Sequence, residues 1–530
     1  MFSVMRRKNR IIAAVLTLSL IGSVAGCGAS SAEKQVDMVE AGSKGPENGG
    51  GGDYSVPNQI PSVLADQVGY KTDSVKTVIL HGKKLPKTFS IKELGTKEEK
   101  YIGDVVKSVY NEETKEFTGI GYFTDLKEEG TYYACADIIG ESYSFTVSED
   151  VYANVFNEAC KKYYINRCGM SLSEEYAGEN AHSACHTTPA HLQEHPETEI
   201  DVTGGWHMDE QADRDTTVGC KVAENLLLAY EMNEAAFTDE AGIPESGNGI
   251  PDILDEVRYE VEWLLKMQDA KTGGEYGAAL TDSSGGGDVM TYPVTVTPVS
   301  MDATINFASV LAKFSYIYQK YDGEFATTCL KAADRAWSCY FNNQKAQDST
   351  TVFKAAAELY RATGNSGYVT VLEDYFGRTN FDRIFNTDEN ILIGSVTYLS
   401  TSQQVDVARC EYLMKLLMKR SEDIAQKAGQ SAYLVTKTDE KAFDELLDDM
   451  RCLTITDHII YNHEYTTIIE NHAHFLMGMN PGAVNYVTDA TERTYADEAG
   501  VGILNDPQAD ALLVFMLSVL EKRERNSTSI

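Results

Sequence analysis

Pro251-Asp252-Ile253-Leu254-Asp255-Glu256-Val257-Arg258-Tyr259-Glu260-Val261-Glu262-Trp263-Leu264-Leu265-Lys266-Met267-Gln268 decides the class of the larger part of this chain. Ile253, Leu254, Val257, Val261, Leu264 and Leu265 recur at the spacing of one helical face. The Pro-Asp start suits a first helical turn, where proline's missing N–H costs nothing. Working backward, Val218, Val222, Leu226, Ala229 and Tyr230 share a face over residues 218–232. Working forward, helical patterns are predicted near 302–321, 325–342, 351–363, 402–430, 440–451, 463–478 and 508–524. So many helices joined by short polar links predict an all-α toroid or bundle over residues 149–525.

Upstream the period changes. Thr77-Val78-Ile79-Leu80, Thr88-Phe89-Ser90-Ile91, Gly121-Tyr122-Phe123 and Tyr143-Ser144-Phe145-Thr146-Val147 alternate or run apolar between turn residues. Residues 59–148 therefore read as a small β-sandwich. Residues 27–58 are rich in Gly, Ser, Glu and Lys, with four consecutive glycines at 49–52. They cannot bury enough apolar surface to order, and are expected to be a flexible tether.

Residues 1–26 read as a targeting signal. Arg6, Arg7, Lys8 and Arg10 precede an apolar run from Ile11 to Ile21, and Val24-Ala25-Gly26-Cys27 follows. Small residues ahead of a cysteine resemble a bacterial lipobox, which would be cut before Cys27 and carry lipid on its thiol. The apolar run is too short to span a bilayer. The expected location is extracellular, anchored by lipid to the bacterial cell membrane.

The chain of 530 residues carries 80 acidic against 46 basic side chains, a net charge of −34. Nucleic acid and anionic membrane surfaces would repel it, so the lipid is the only membrane contact expected. Ten cysteines are scattered without a dense framework. Cys135, Cys160, Cys220, Cys329, Cys339, Cys410 and Cys452 are therefore predicted to be free and mostly buried.

Short motifs carry the family resemblance. Asp66-Gln67-Val68-Gly69-Tyr70 opens the sandwich. Cys168-Gly169, Ala184-Cys185-His186, Gly204-Gly205-Trp206-His207, the run Glu245-Ser246-Gly247-Asn248-Gly249-Ile250 into Pro251, and Trp263–Gln268 follow in order. Pro298-Val299-Ser300, Ala356-Ala357-Glu358-Leu359-Tyr360 and Gly478-Met479-Asn480-Pro481 complete the set. Over residues 62–523 the chain resembles glycoside hydrolase family 9, the cellulase type with an N-terminal immunoglobulin-like domain. The resemblance implies an immunoglobulin-like sandwich, then an (α/α) barrel of six helical hairpins with an open cleft. It also implies an ancestry in inverting β-1,4-glucan hydrolysis.

Cys168, Cys185, His186 and His207 form a Cys₂His₂ set. Two thiolates and two imidazoles suit tetrahedral zinc with no position left for water, which is the structural kind of site. On spacing alone, two buried thiols and two surface histidines fit equally, with His182, His191 and His195 as rival ligands. The resemblance implies zinc at the four named positions. It also raises calcium near the cleft, for which Asp252, Asp255 and Glu256 are the carboxylates at hand, although acids in a first helical turn are ordinary dipole partners.

Inversion needs a carboxylate base and a protonated carboxyl on opposite sides of the bond. The family takes its base from two aspartates just after Gly-Gly-Trp-His. Here those positions hold Met208 and Gln211, and neither a thioether nor an amide takes a proton from water. An ungapped count puts Leu504 where the family's acid stands, and no His-His-Arg clamp follows Asn480-Pro481. Relocated carboxylates would be Asp209, Asp213 or Asp215 with Glu498 or Asp506. Of three tryptophans, Trp206 is the candidate for contact with sugar, while Trp263 and Trp337 read as core. The sequence thus points to a cell-surface relative of β-1,4-glucan hydrolases that binds glycan with lost or much reduced hydrolysis. The alternative is an active inverting glycosidase with relocated carboxylates.

Overall fold

A computed structural model describes residues 54–112, 114–282, 288–343, 348–488 and 506–521, apart from the side chain of His463. The signal, Cys27, most of the tether, Glu498 and Leu504 lie outside the described residues. The chain is an immunoglobulin-like β-sandwich followed by a helix-rich (α/α) barrel, as the motifs predict. By contacts it divides into two compact units.

One unit joins residues 54–156 to 421–488. Its eight strands run in the order β1 (Val63–Leu64), β3 (Thr77–Gly82), β6 (Glu116–Tyr122), β5 (Glu99–Asn111), β4 (Thr88–Glu93), β7 (Gly130–Ala136), β8 (Gly140–Val147) and β2 (Gly69–Tyr70). Strand β5 (Glu99–Asn111) pairs with β4 (Thr88–Glu93) through its first half and with β6 (Glu116–Tyr122) through its second. It thereby bends from one layer to the other, as corner strands of sandwiches do. Val63, Tyr70, Val78, Leu80, Phe89, Ile91, Phe123, Tyr132, Phe145 and Val147 fill the space between the layers.

The Asp66–Tyr70 motif is a joint within this unit. Asp66 Oδ1 accepts from the backbone N–H groups of Val68 and Gly69, and Oδ2 lies 2.7 Å from His474 Nδ1 in the helix His463–Leu476. Gln67 donates through Nε2 to the Ala483 carbonyl at 2.6 Å. Gly69 has φ +139°, and a Cβ there would lie 1.9 Å from the Thr146 carbonyl oxygen, so only glycine fits.

The other unit joins residues 157–420 to 506–521. The helices Thr216–Met232, Met301–Tyr318, Thr350–Thr363 and Glu389–Ser400 pack in succession, and Pro507–Glu521 returns against Thr216–Met232. Gly323–Asn342 covers Met301–Tyr318, and Ser366–Phe376 covers Thr350–Thr363. The Pro251–Gln268 reading holds: helix Asp252–Lys266 buries Ile253, Leu254, Val257, Val261 and Leu264.

Among the described residues no helix is long and apolar enough to cross a membrane. Among the described residues outside the Cys₂His₂ set no cysteine forms a disulfide; five are buried, and Cys135 and Cys339 are half-buried. Trp263 is fully buried, whereas Trp337 is half-exposed and packs edge-on to Tyr368.

Candidate functional site

The motif Gly204-Gly205-Trp206-His207 runs beside residues 166–168. The Cys168 N–H donates to the Gly205 carbonyl, and the His207 N–H donates to the Asn166 carbonyl, each at 2.8 Å. Buried Glu260 accepts from the Trp206 N–H at 2.8 Å, and Arg214 donates to the carbonyls of Val202 and Gly204. Gly205 has φ +78°, and a Cβ there would stand 2.7 Å from the Trp263 ring. The indole of Trp263 thus presses the motif flat, and Cys168 and His207 are brought side by side.

A loop carrying Cys185 and His186 closes over them. Cys168 and Cys185 sulfurs are 3.8 Å apart, His186 Nδ1 lies 3.4 Å from Cys168 Sγ, and His207 Nε2 lies 3.7 Å from Cys185 Sγ. All four donor atoms fall within 4.8 Å of one another, a cluster able to hold a metal ion. His186 reaches the Val289 carbonyl through Nε2 at 2.9 Å, which fixes Nε2 as its N–H and leaves the Nδ1 lone pair for a ligand. His186 takes φ +44°, an unusual conformation for histidine, and so is held in place by its surroundings.

The rival histidines face elsewhere: His182 and His191 bond nearby carbonyls, and His195 is exposed beside Glu197. No other group of three or more potential ligands gathers among the described residues. Asp252 instead accepts from Ser246 and the Ala241 N–H, Asp255 from Asn248, and Glu256 pairs with buried Arg167. These carboxylates serve the loop and the ion pair and do not converge on a cation. Burial pushes both Asp255 and Glu256 up to about 7.

Beside the Cys₂His₂ cluster lies a cavity of about 450 Å³, a size in the usual range for small-ligand sites. Trp206, His207, Met208, Asp209, Glu210 and Gln211 form one wall. Lys162, Tyr163 and Asn166 from the end of helix Ala153–Ile165 form another, and Pro507 and Asp510 a third. Trp206 is 1% exposed, with its ring 5.0 Å from that of Tyr163, so it backs the cavity and offers no open stacking face.

The sequence-predicted carboxylates are placed as follows. Asp209 is exposed at the cavity, and its Oδ1 accepts from the N–H groups of Gln211 and Asp213, as a turn-holding carboxylate does. Asp213 accepts from the Thr281 N–H at 2.6 Å and is not among the lining residues; burial raises its pKa. Asp215 caps the helix Thr216–Met232, and Asp506 accepts from the N–H groups of Gln508 and Ala509.

Asp510 is a site residue that sequence reasoning did not single out. It is 4% exposed, forms a close ion pair with Lys162, and burial pushes its carboxyl up to about 7 although Lys162 pulls the other way. Its Oδ1 and the Tyr163 hydroxyl are buried without hydrogen-bond partners. An acid in a first helical turn reads as a dipole partner. The available signal was a charge heading the apolar run Ala511–Phe515.

The family model for glycosyl hydrolase family 9 matches residues 152–498, and that for the cellulase N-terminal Ig-like domain matches residues 58–141. The chain is 27% identical over 483 residues to a cellodextrinase of Butyrivibrio fibrisolvens, covering 82% of this chain and 86% of that protein. It is 29% identical over 318 residues to endoglucanase D of Acetivibrio thermocellus, covering 55% of this chain and about half (51%) of that protein. In structure it matches a metagenome-derived family 9 endoglucanase with a TM-score of 0.75 at 22% identity, over 87% of this chain and 98% of that one.

Proposed function

The chain belongs to glycosyl hydrolase family 9, and from that premise we propose that it binds β-1,4-glucan segments in the cavity with hydrolysis lost or much reduced. One observation carries this reading. Met208 and Gln211 line the cavity at the positions where the family resemblance calls for two aspartates. Without an acceptor for water's proton there, the inverting route has no base. Of the two carboxylates on that wall, Asp209 holds its own turn through Oδ1 and Glu210 is exposed to solvent. The second reading, an inverting glycosidase with relocated carboxylates, draws on Asp209 and Asp510 lining one cavity, with Glu498 as a further acid.

The test pairs calorimetric binding of cello-oligosaccharides with reducing-sugar release from soluble β-glucan, at micromolar protein over a day. Binding without release is expected. Met208→Asp combined with Gln211→Asp is expected to leave release within about tenfold of wild type, because Leu504 supplies no acid to complement the restored base. Release by wild type that drops a hundredfold in Asp209→Asn or Glu498→Gln would establish the second reading instead.

The metal in this reading is zinc, in a structural role. Zinc with Zn–S near 2.3 Å and Zn–N near 2.0–2.1 Å sets tetrahedral donor atoms roughly 3.4–3.8 Å apart. Three of the donor separations, 3.4, 3.7 and 3.8 Å, match that frame, and all four donor atoms lie within 4.8 Å of one another. Four protein ligands leave no coordination position for a substrate, so the ion would brace the cavity wall and take no part in bond cleavage.

The cell surface is the proposed location, through lipid on Cys27. Labelled fatty acid is expected in the wild-type protein and absent from Cys27→Ala. An unlabelled wild type would remove the anchor from this reading.

A further inference from the structure

We infer that the Lys162–Asp510 pair is the hydroxyl-recognising element of the cavity, taking neighbouring hydroxyls of one sugar ring between a carboxylate and an ammonium group. This rests on the glycan-binding reading above and specifies which of the chain's own residues choose the ligand.

Several independent observations lead here. Lys162 and Asp510 come from separate helices and meet at the cavity that Met208 and Gln211 line. The Asp510 side chain is 5% exposed and that of Lys162 is 23% exposed, so the pair is held at the wall and is not a surface contact. Only one Asp510 oxygen is engaged by Lys162, while Oδ1 has no hydrogen-bond partner. The Tyr163 hydroxyl, next in sequence to Lys162, is also buried without one. Buried polar atoms are almost always satisfied, so an acceptor and a hydroxyl left in this state beside a cavity call for a ligand that both donates and accepts. A sugar hydroxyl does both.

Charge narrows the class further. The pair is neutral overall and sits in a chain of net charge −34, which disfavours an anionic ligand and suits a neutral one. Burial raises the Asp510 carboxyl while Lys162 pulls it down, so proton donation is the competing role that the experiment must separate from hydroxyl recognition.

The experiment is calorimetric titration of the full-length protein with cellotetraose. Asp510→Asn keeps the side-chain volume and is expected to weaken binding about tenfold or more, the usual effect of losing a charge-assisted hydrogen bond. Lys162→Met should do the same, and Lys162→Arg should retain most of the affinity. A panel of monodeoxy cellobiosides supplies a readout that a merely structural ion pair would not move. Deoxygenations that weaken wild-type binding tenfold should have no effect in Asp510→Asn.

If folded Asp510→Asn and Lys162→Met both bind as wild type does, the inference is overturned. It is overturned as well if Asp510→Asn binds normally but abolishes a turnover that wild type possesses, since Asp510 is then a proton donor. Should Asp510→Asn fail to fold, Lys162→Met and the deoxy panel on wild type decide the matter. Wild type that binds no glucan at all removes the glycan-binding reading and this inference together, whereas binding unaffected by the variants removes only this one.

Discussion

Cys185→Ser is expected to strip the protein of its metal and to lower its thermal unfolding temperature by more than any cavity substitution. Cys185 stands at the centre of the cluster, 3.8 Å from the Cys168 sulfur and 3.7 Å from His207 Nε2. A serine hydroxyl stays protonated near neutral pH and is a far poorer zinc ligand than a thiolate. The segments that the cluster joins carry few bonds of regular structure. Cys168 and His207 flank the isolated bridge between Arg167 and Trp206, and His186 is tied to the Val289–Thr291 turn. A structural zinc site supplies about 10–16 kcal/mol of apparent binding free energy in small zinc-finger peptides, and a share of that would be lost here. His207 also lines the cavity, next to Met208 and Asp209. Loss of the ion should therefore loosen that wall and weaken glycan binding as well. Elemental analysis should find about one zinc per wild-type chain, following the ligand count, and none in the variant. A wild-type protein free of zinc would end the assignment, and a zinc-loaded Cys185→Ser would end this ligand set.

How much of this could be read beforehand depends on periodicity. Helices with one buried face announced themselves, and the Asp252–Lys266 helix is the clearest case. Glu389–Ser400 did not, because Ile391 to Tyr398 are all buried and no face alternates with another. A continuous apolar run looks the same in a buried helix and a buried strand. The short helices Ser366–Phe376 and Phe381–Thr387 were also missed, and 440–451 understated a helix that runs from Phe443 to Ile460. In the sandwich, β7 (Gly130–Ala136) went unread, and so did β5, whose charges and mostly exposed side chains hide its role as the corner.

The candidate site divides in the same way. The Cys₂His₂ cluster was legible because cysteine and histidine are scarce and their chemistry is narrow. The Lys162–Asp510 pair was not, since residues 348 apart in sequence meet only through the packing of their helices. A lysine late in one helix and an aspartate early in another are ordinary dipole partners until the fold brings them together.

Glu358→Ala is expected to destabilise the helical unit by about 3–5 kcal/mol, the usual cost of leaving a buried charge without its partner. Glu358 is fully buried in Thr350–Thr363. Its Oε1 accepts from Lys313 Nζ at 3.2 Å and from the Thr397 hydroxyl at 2.7 Å, and its Oε2 accepts from Arg361 at 2.6 Å. Lys313 and Arg361 also share Glu231, so two cations and two carboxylates balance one another. The cluster ties together four helices that pack in succession: Glu231 lies in Thr216–Met232, Lys313 in Met301–Tyr318, and Thr397 in Glu389–Ser400. Burial opposes the charge on Glu231, yet Arg361 and Lys313 hold its carboxyl down to about 2. That stabilisation is present above the unfolded carboxylate pKa and is lost as pH falls toward 2. Removing Glu358 leaves Lys313 and Arg361 facing a single carboxylate at low dielectric. Removing Lys313 as well restores the balance, leaving one Arg361–Glu231 pair. Glu358→Ala with Lys313→Met should therefore cost less than the two single changes added together, by at least about 1 kcal/mol, as expected for coupled neighbours. Urea unfolding of the four proteins measures this directly. Strict additivity, or a Glu358→Ala cost below about 1 kcal/mol, would show that the cluster is relaxed by water or by side-chain rearrangement and does not brace these helices through its charges.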